Sequence, residues 1–147
     1  MKQKDITLLH VTEIPFKMSL DATDMSDDVK KRINVAFLFV LQYQKGNGAS
    51  AMHAVVRLSL DGLVILEGGA TFIFKSKTWD EMSHDEESVR KSDFAREMIE
   101  YVLPFINGVM LARVQDTKLR GLFLPIIDAS ELVTNIKVEE IPLQGAF

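Results

Sequence analysis

The chain predicts an α+β fold: a four-stranded antiparallel sheet, one long proline-bent helix, an apolar crossover loop and a short second helix. Three observations carry the prediction. Residues 6–75 alternate apolar and polar types in four runs separated by turn residues. From Asp93 the apolar residues recur every three or four positions, and Arg120-Gly121 ends that pattern before the apolar stretch Leu122 to Ile127. The 147 residues are 47% hydrophobic, enough for one core, and no repeat or low-complexity linker marks a boundary, so residues 1–147 read as a single domain.

Taken in order, residues 6–18 place Ile6, Leu8, Ile14, Phe16 and Met18 on one strand face, and Pro15, lacking an amide donor, points to a sheet edge. A long acidic connection follows. Residues 33–44 place Ile33, Val35, Phe37, Phe39, Leu41 and Tyr43 on one face, while Ala36, Leu38 and Val40 make the other apolar too. A strand apolar on both faces is expected to be covered on both. Lys45-Gly-Asn-Gly48 supplies a turn, and Met52, Ala54, Val56, Leu58 and Leu60 then alternate inward. Asp61-Gly62 has the chemistry of a type I′ hairpin, and Gly68-Gly69 in the fourth strand predicts a bulge or a close backbone approach.

Ser92 can cap a helix starting at Asp93. Phe94, Met98, Tyr101, Phe105 and Val109 form one stripe and Ile99, Val102, Ile106 and Met110 a second, so the helix needs cover from more than one direction, by another subunit as well as the sheet. Tyr101, Phe105, Ile106, Gly108, Val109 and Met110 are the expected subunit contacts, Gly108 leaving room for a close neighbour. Pro104 predicts two helical halves with a bend near Leu103. Asp128 or Ser130 can cap the short helix carrying Glu131, Leu132 and Val133, and Pro142 and Gly145 limit any helix in the tail.

Composition excludes several chemistries. Without cysteine there is no disulfide, thiolate nucleophile or thiolate metal site. A net charge of −4 with clustered acids argues against a nucleic-acid partner, and no run reaches the roughly 20 apolar residues of a membrane helix. With no leader-like start, the expected location is the cytoplasm. His10, His53 and His84 lack zinc-site spacing, Gly46-Asn-Gly48 lacks the lysine of a phosphate loop, and no serine sits in a nucleophile elbow. No metal or cofactor is expected. Trp79 is either a partner anchor or an aromatic tucked against the sheet end.

The order of parts resembles the bacterial export chaperone SecB and its relatives. The likeness is carried by Leu103-Pro104-Phe105 within the long helix, Leu119-Arg120-Gly121 at its end, Phe123-Leu-Pro125 with Asp128 after it, and Glu67 ahead of Ile73-Phe74. The resemblance implies an ATP-independent holdase, a homotetramer built as a dimer of dimers, that binds unfolded polypeptide clients in apolar grooves. By that resemblance the groove residues are Leu122, Phe123, Leu124, Ile126 and Ile127, with Phe37, Phe39 and Leu132. It also implies that Glu13 and Glu67 dock the motor SecA, but Lys17 stands where a second acid belongs and reverses a charge. A SecB-like chaperone serving a toxin–antitoxin pair stays open. A hotdog-type acyl-thioester enzyme is the competing class, and the helix following all four strands counts against it.

Overall fold

The computed structural model describes residues 5–19, 27–46, 48–115, 117, 125 and 127–141. Strand β1 (Ile6–Met18) precedes a single helical turn, α1 (Asp27–Lys30), and strands β2 (Ile33–Tyr43), β3 (Ser50–Leu60) and β4 (Leu63–Ser76) follow. Helices α2 (Lys77–Glu81), α3 (Glu86–Arg90), α4 (Asp93–Val114) and α5 (Ala129–Leu132) lead to β5 (Ile136–Glu140). The sheet order is β1-β4-β3-β2-β5.

The expected four-stranded antiparallel sheet is therefore corrected to a five-stranded mixed one. β5 joins β2 in parallel, Phe39 opposite Ile136 and Tyr43 opposite Glu140. Five residues ending near Pro142 give a weak strand signal, and a parallel partner lies a whole helical crossover away in sequence. Helix α3 screens the strand's outer edge: Arg90 Nε donates to the Ile136 carbonyl at 2.8 Å and Glu86 Oε1 accepts from the Val138 amide at 3.1 Å. Edge groups satisfied in this way cannot recruit another strand.

The hairpin at Asp61-Gly62 has φ of 51° and 85°, positive at both central residues as type I′ requires. Leu60 faces Leu63 across it, which sets the β3–β4 register. On the inner sheet face that register aligns Met52 with Phe72, Ala54 with Ala70, Val56 with Gly68 and Leu58 with Leu66. Small residues at the centre let a helix come close. A side chain on Gly68 would meet Met110 Sδ of α4 at 2.9 Å, and one on Gly69, at φ 151°, would collide with the Ala54 carbonyl. The glycine pair is thus a close approach, Gly68 to α4 and Gly69 to the backbone of the neighbouring strand β3, as its position inside a strand predicts.

Ser92 caps α4 by accepting from the Ala95 amide at 3.1 Å. Phe94, Met98, Ile99, Val102, Ile106, Met110 and Val114 are buried against the sheet. At about 1.5–3 kcal/mol per buried large side chain, this face rather than helix propensity holds α4 in place. The helix runs through Pro104 as one assigned element instead of two halves. Pro104 is exposed, so the carbonyl its missing amide leaves unpaired lies on the open side. Ile106 and Met110, expected at a subunit contact, are corrected to the chain's own core. Arg120-Gly121, the expected helix end, lies outside the described residues.

Asp128, not Ser130, caps α5, accepting from the Ser130 amide at 3.0 Å. Asn135 Nδ2 then donates to the Phe37 carbonyl at 2.9 Å and fastens the turn before β5 to β2.

Candidate functional site

Helix α4 carries a second, outward stripe. Tyr101, Pro104, Phe105, Gly108, Leu111 and Ala112 recur at spacings of three and four and are all exposed. Tyr101 is 42% exposed and Phe105 46%. Phe105 leans on the sheet edge-to-face with Phe72, centroids 5.4 Å apart, and keeps its other side open. Val109 is half-buried beside this stripe. On its flank, the buried Asn107 Oδ1 accepts no hydrogen bond among the described residues. Periodicity could count two stripes on α4 but could not say which one faced the sheet.

Of the expected groove, Leu122, Phe123, Leu124 and Ile126 lie outside the described residues, and Ile127 is half-buried against the core. Phe37, Phe39 and Leu132 are buried in the core, Phe39 completely, and offer a ligand no surface here. All three belong to the core cluster that the sheet shares with α4 and α5, and β5, which extends the sheet beside β2, was the element not foreseen.

The two expected docking acids are each engaged by an arginine. Glu13 accepts from Arg113 Nε at 2.6 Å and from Nη2 at 2.7 Å, a bidentate pair joining β1 to the end of α4. Arg113's hydrogen bonds hold the Glu13 carboxyl below its ordinary range. Glu67 accepts from Arg57 at 2.7 Å and stands opposite Lys17 on the neighbouring strand. One acid between two cations leaves no net negative patch to steer a basic surface.

No protein-family model and no curated protein sequence matches the chain. Among solved structures it is similar to the SecB-like chaperone Rv1957 of Mycobacterium tuberculosis, in complex with a ChAD peptide from the Rv1956 HigA1 antitoxin. The TM-score is 0.50 at 10% identity, over 84% of this chain and 91% of that one. The fold is SecB-like.

At one end of this SecB-like fold Trp79 closes the core and is no surface anchor. Its ring stacks on His84 at 4.0 Å and on Phe94 at 5.4 Å, and its Nε1 donates to the buried Ser50 hydroxyl at 2.8 Å. His84 Nε2 donates to the Trp79 carbonyl at 2.7 Å, which fixes the tautomer. A cleft of about 490 Å³ opens beside this cluster, lined by residues including Tyr43, Ser50 and His84. Asp5 caps α2 from outside, accepting from the Lys77 amide at 3.0 Å, the Thr78 amide at 2.8 Å and the Ser76 hydroxyl at 2.8 Å. Hydrogen bonds from Thr78 and Ser76 lower its carboxyl to about 2.

The outer sheet face of this fold carries a polar ladder. Gln42 Nε2 donates to Glu139 at 3.0 Å, so its Oε1 accepts from His53 Nε2 at 2.6 Å. In the neutral ring, the form that burial favours, His53 Nδ1 accepts from the Thr71 hydroxyl at 2.8 Å. Burial pushes the His53 pKa below its usual 6.5, against the opposing field of Glu139. The unfolded chain therefore binds the proton more readily. This group's contribution to stability is complete above pH 6.5 and is lost as pH falls below 6.5 toward the depressed folded pKa. Thermal melts at pH 7.5 and pH 5.5 check it: the wild type should lose more stability on acidification than His53→Gln, and equal losses would contradict the neutral ladder.

Among the described residues, no group of three or more His, Cys, Asp or Glu is placed to hold a metal ion. Nor, among them, is any helix long and apolar enough to cross a membrane.

Proposed function

We propose that the protein is an ATP-independent chaperone that holds non-native polypeptide against apolar side chains and assembles as a homo-oligomer, a dimer of dimers. The observation that carries the reading is a SecB-like fold, over 84% of the chain, whose long helix leaves an apolar stripe unpartnered. Tyr101, Phe105, Gly108 and Leu111 are assigned to subunit packing, with Val109 at their edge. Asn107 supports this assignment, because a buried carbonyl oxygen without a donor costs about 1–3 kcal/mol, which a neighbouring subunit's donor would recover. Client binding is assigned to Leu122, Phe123, Leu124, Ile126 and Ile127. Each client side chain buried there is worth about 1.5–3 kcal/mol, so a few weak contacts hold a chain without reading its sequence.

Between the two partner systems, a toxin–antitoxin partner has the more support. The structural neighbour was solved with an antitoxin peptide, whereas Glu13 and Glu67, the acids for SecA docking in protein export, are neutralised by Arg113 and Arg57.

Aggregation of a chemically denatured client, followed by light scattering without nucleotide, tests the reading. Equimolar protein should suppress scattering, and Phe123→Ser with Ile126→Ser should weaken suppression about tenfold while leaving the oligomer mass unchanged. No suppression at several-fold excess would end the proposal.

A further inference from the structure

We propose that the outer face of the sheet, turned away from α4, docks an acidic amphipathic helix of a partner protein. The inference is separate from the chaperone reading and does not rest on it.

The sequence predicts cover on both faces of β2, and the core supplies it on one. Ala36, Leu38 and Val40 alternate away from the buried Phe37, Phe39 and Leu41. The strand register carries this apolar surface across the sheet, Leu38 opposite Val55, Val55 opposite Gly69 and Gly69 opposite Ile14. Leu38, Val55 and Ile14 are half-buried, and none is part of the core cluster or packed against it. Three inter-strand steps make the band about 14 Å long. An apolar sheet face is closed by a helix or a second sheet, and this length matches about nine residues of helix.

Charge selects the kind of helix. On one flank of the band, about 7 Å along the strands, Arg57 and Lys17 stand on either side of Glu67. On the other flank Lys137 stands opposite Val40, and Lys75 lies farther along the same face of β4. Four cations, Lys17, Arg57, Lys75 and Lys137, thus share the face with two acids, Glu67 and Glu139, a balance of +2 on a chain whose net charge is −4. Glu67 is held by Arg57, and among the described residues Lys17, Lys75 and Lys137 have no ion pair. Cations on both flanks of an apolar band are met by a helix with an apolar stripe and an acidic rim. Nucleic acid fits less well, because the band between the flanks offers a phosphate nothing and two acids interrupt the cations.

Fluorescence anisotropy with three labelled helical peptides, each about fourteen residues long, tests the proposal. One carries a leucine stripe flanked by glutamates, one has lysines in place of the glutamates, and one has serines in place of the leucines. At low salt the glutamate peptide should bind wild type about tenfold tighter than either of the others, and about 0.5 M salt should remove most of its advantage over the lysine peptide. Leu38→Thr with Val55→Thr keeps residues that suit a strand, so its circular dichroism should match the wild type's while binding weakens about tenfold. Lys17→Glu with Lys137→Glu should abolish or reverse the preference for glutamate. Phe123→Ser with Ile126→Ser, which alters the proposed client segment, should leave that preference unchanged. Equal binding of the glutamate and lysine peptides, a preference that survives the charge reversal or is lost with Phe123 and Ile126, or no binding at all would overturn the inference. Tighter binding of a labelled oligothymidylate would overturn it in favour of nucleic acid. Suppression of client aggregation is read in a separate assay, so each of these outcomes leaves the chaperone reading standing.

Discussion

Replacing Trp79 by alanine should cost about 3–5 kcal/mol, the largest stability loss expected from any single side chain here. Against a typical domain stability of about 5–15 kcal/mol, that leaves a marginal fold. Trp79 is 1% exposed and touches Tyr43, Phe74, His84 and Phe94, so its removal opens a cavity walled by β2, β4, α4 and the loop between α2 and α3, which cannot all close in. It also strips the donor from the buried Ser50 hydroxyl. Trp79→Phe keeps a ring in place and loses only that bond and the extra volume, for about 1–2 kcal/mol. Urea unfolding followed by far-ultraviolet circular dichroism measures both, since Trp79 is the chain's one tryptophan and its fluorescence is lost with it. A loss below about 1 kcal/mol for Trp79→Ala would contradict the packing described.

Placing aspartate at both Tyr101 and Leu111 should break the assembly and spare the subunit. The two positions lie about 15 Å apart along one helix face, so a partner packed on the stripe meets both. Burying a charge at a contact centre costs about 2–4 kcal/mol, which raises the dissociation constant roughly 30- to 1,000-fold. Sedimentation velocity across a concentration series reads the change directly. Both side chains point away from the sheet, so the double variant's circular dichroism should match the wild type's. A wild type that stays monomeric at high concentration would remove the subunit-packing assignment.

Much of the fold was legible because it is local. The strands from Ile6 to Ser76 follow from period-two alternation, the hairpin from Asp61-Gly62, and the start of α4 from Ser92. The close approach at Gly68-Gly69 was legible too, since a strand gives up side chains only where something else needs the space. The caps of α2 and α3 were written in Ser76 and Asp85, but helices of five residues carry too little periodicity to separate from turns. Strand β5 escaped because its pairing with β2 is parallel and distant. The docking acids looked free because the arginines that hold them are remote or across a strand, and Arg113 lies a hundred residues from Glu13.

The sequence by itself determined that α4 had more apolar surface than one face could bury, because helical spacing is a property of neighbouring residues. Only the tertiary structure decided how that surface divides: Ile106 and Met110 go to the sheet, while Tyr101, Phe105 and Leu111 stay open. The physical reason is geometric. Which side of a helix faces inward depends on where the opposing surface is lowest, and Ala54, Ala70 and Gly68 make that hollow from two strands paired across a hairpin. The same dependence on distant partners put Phe37, Phe39 and Leu132, far apart in sequence, into one core.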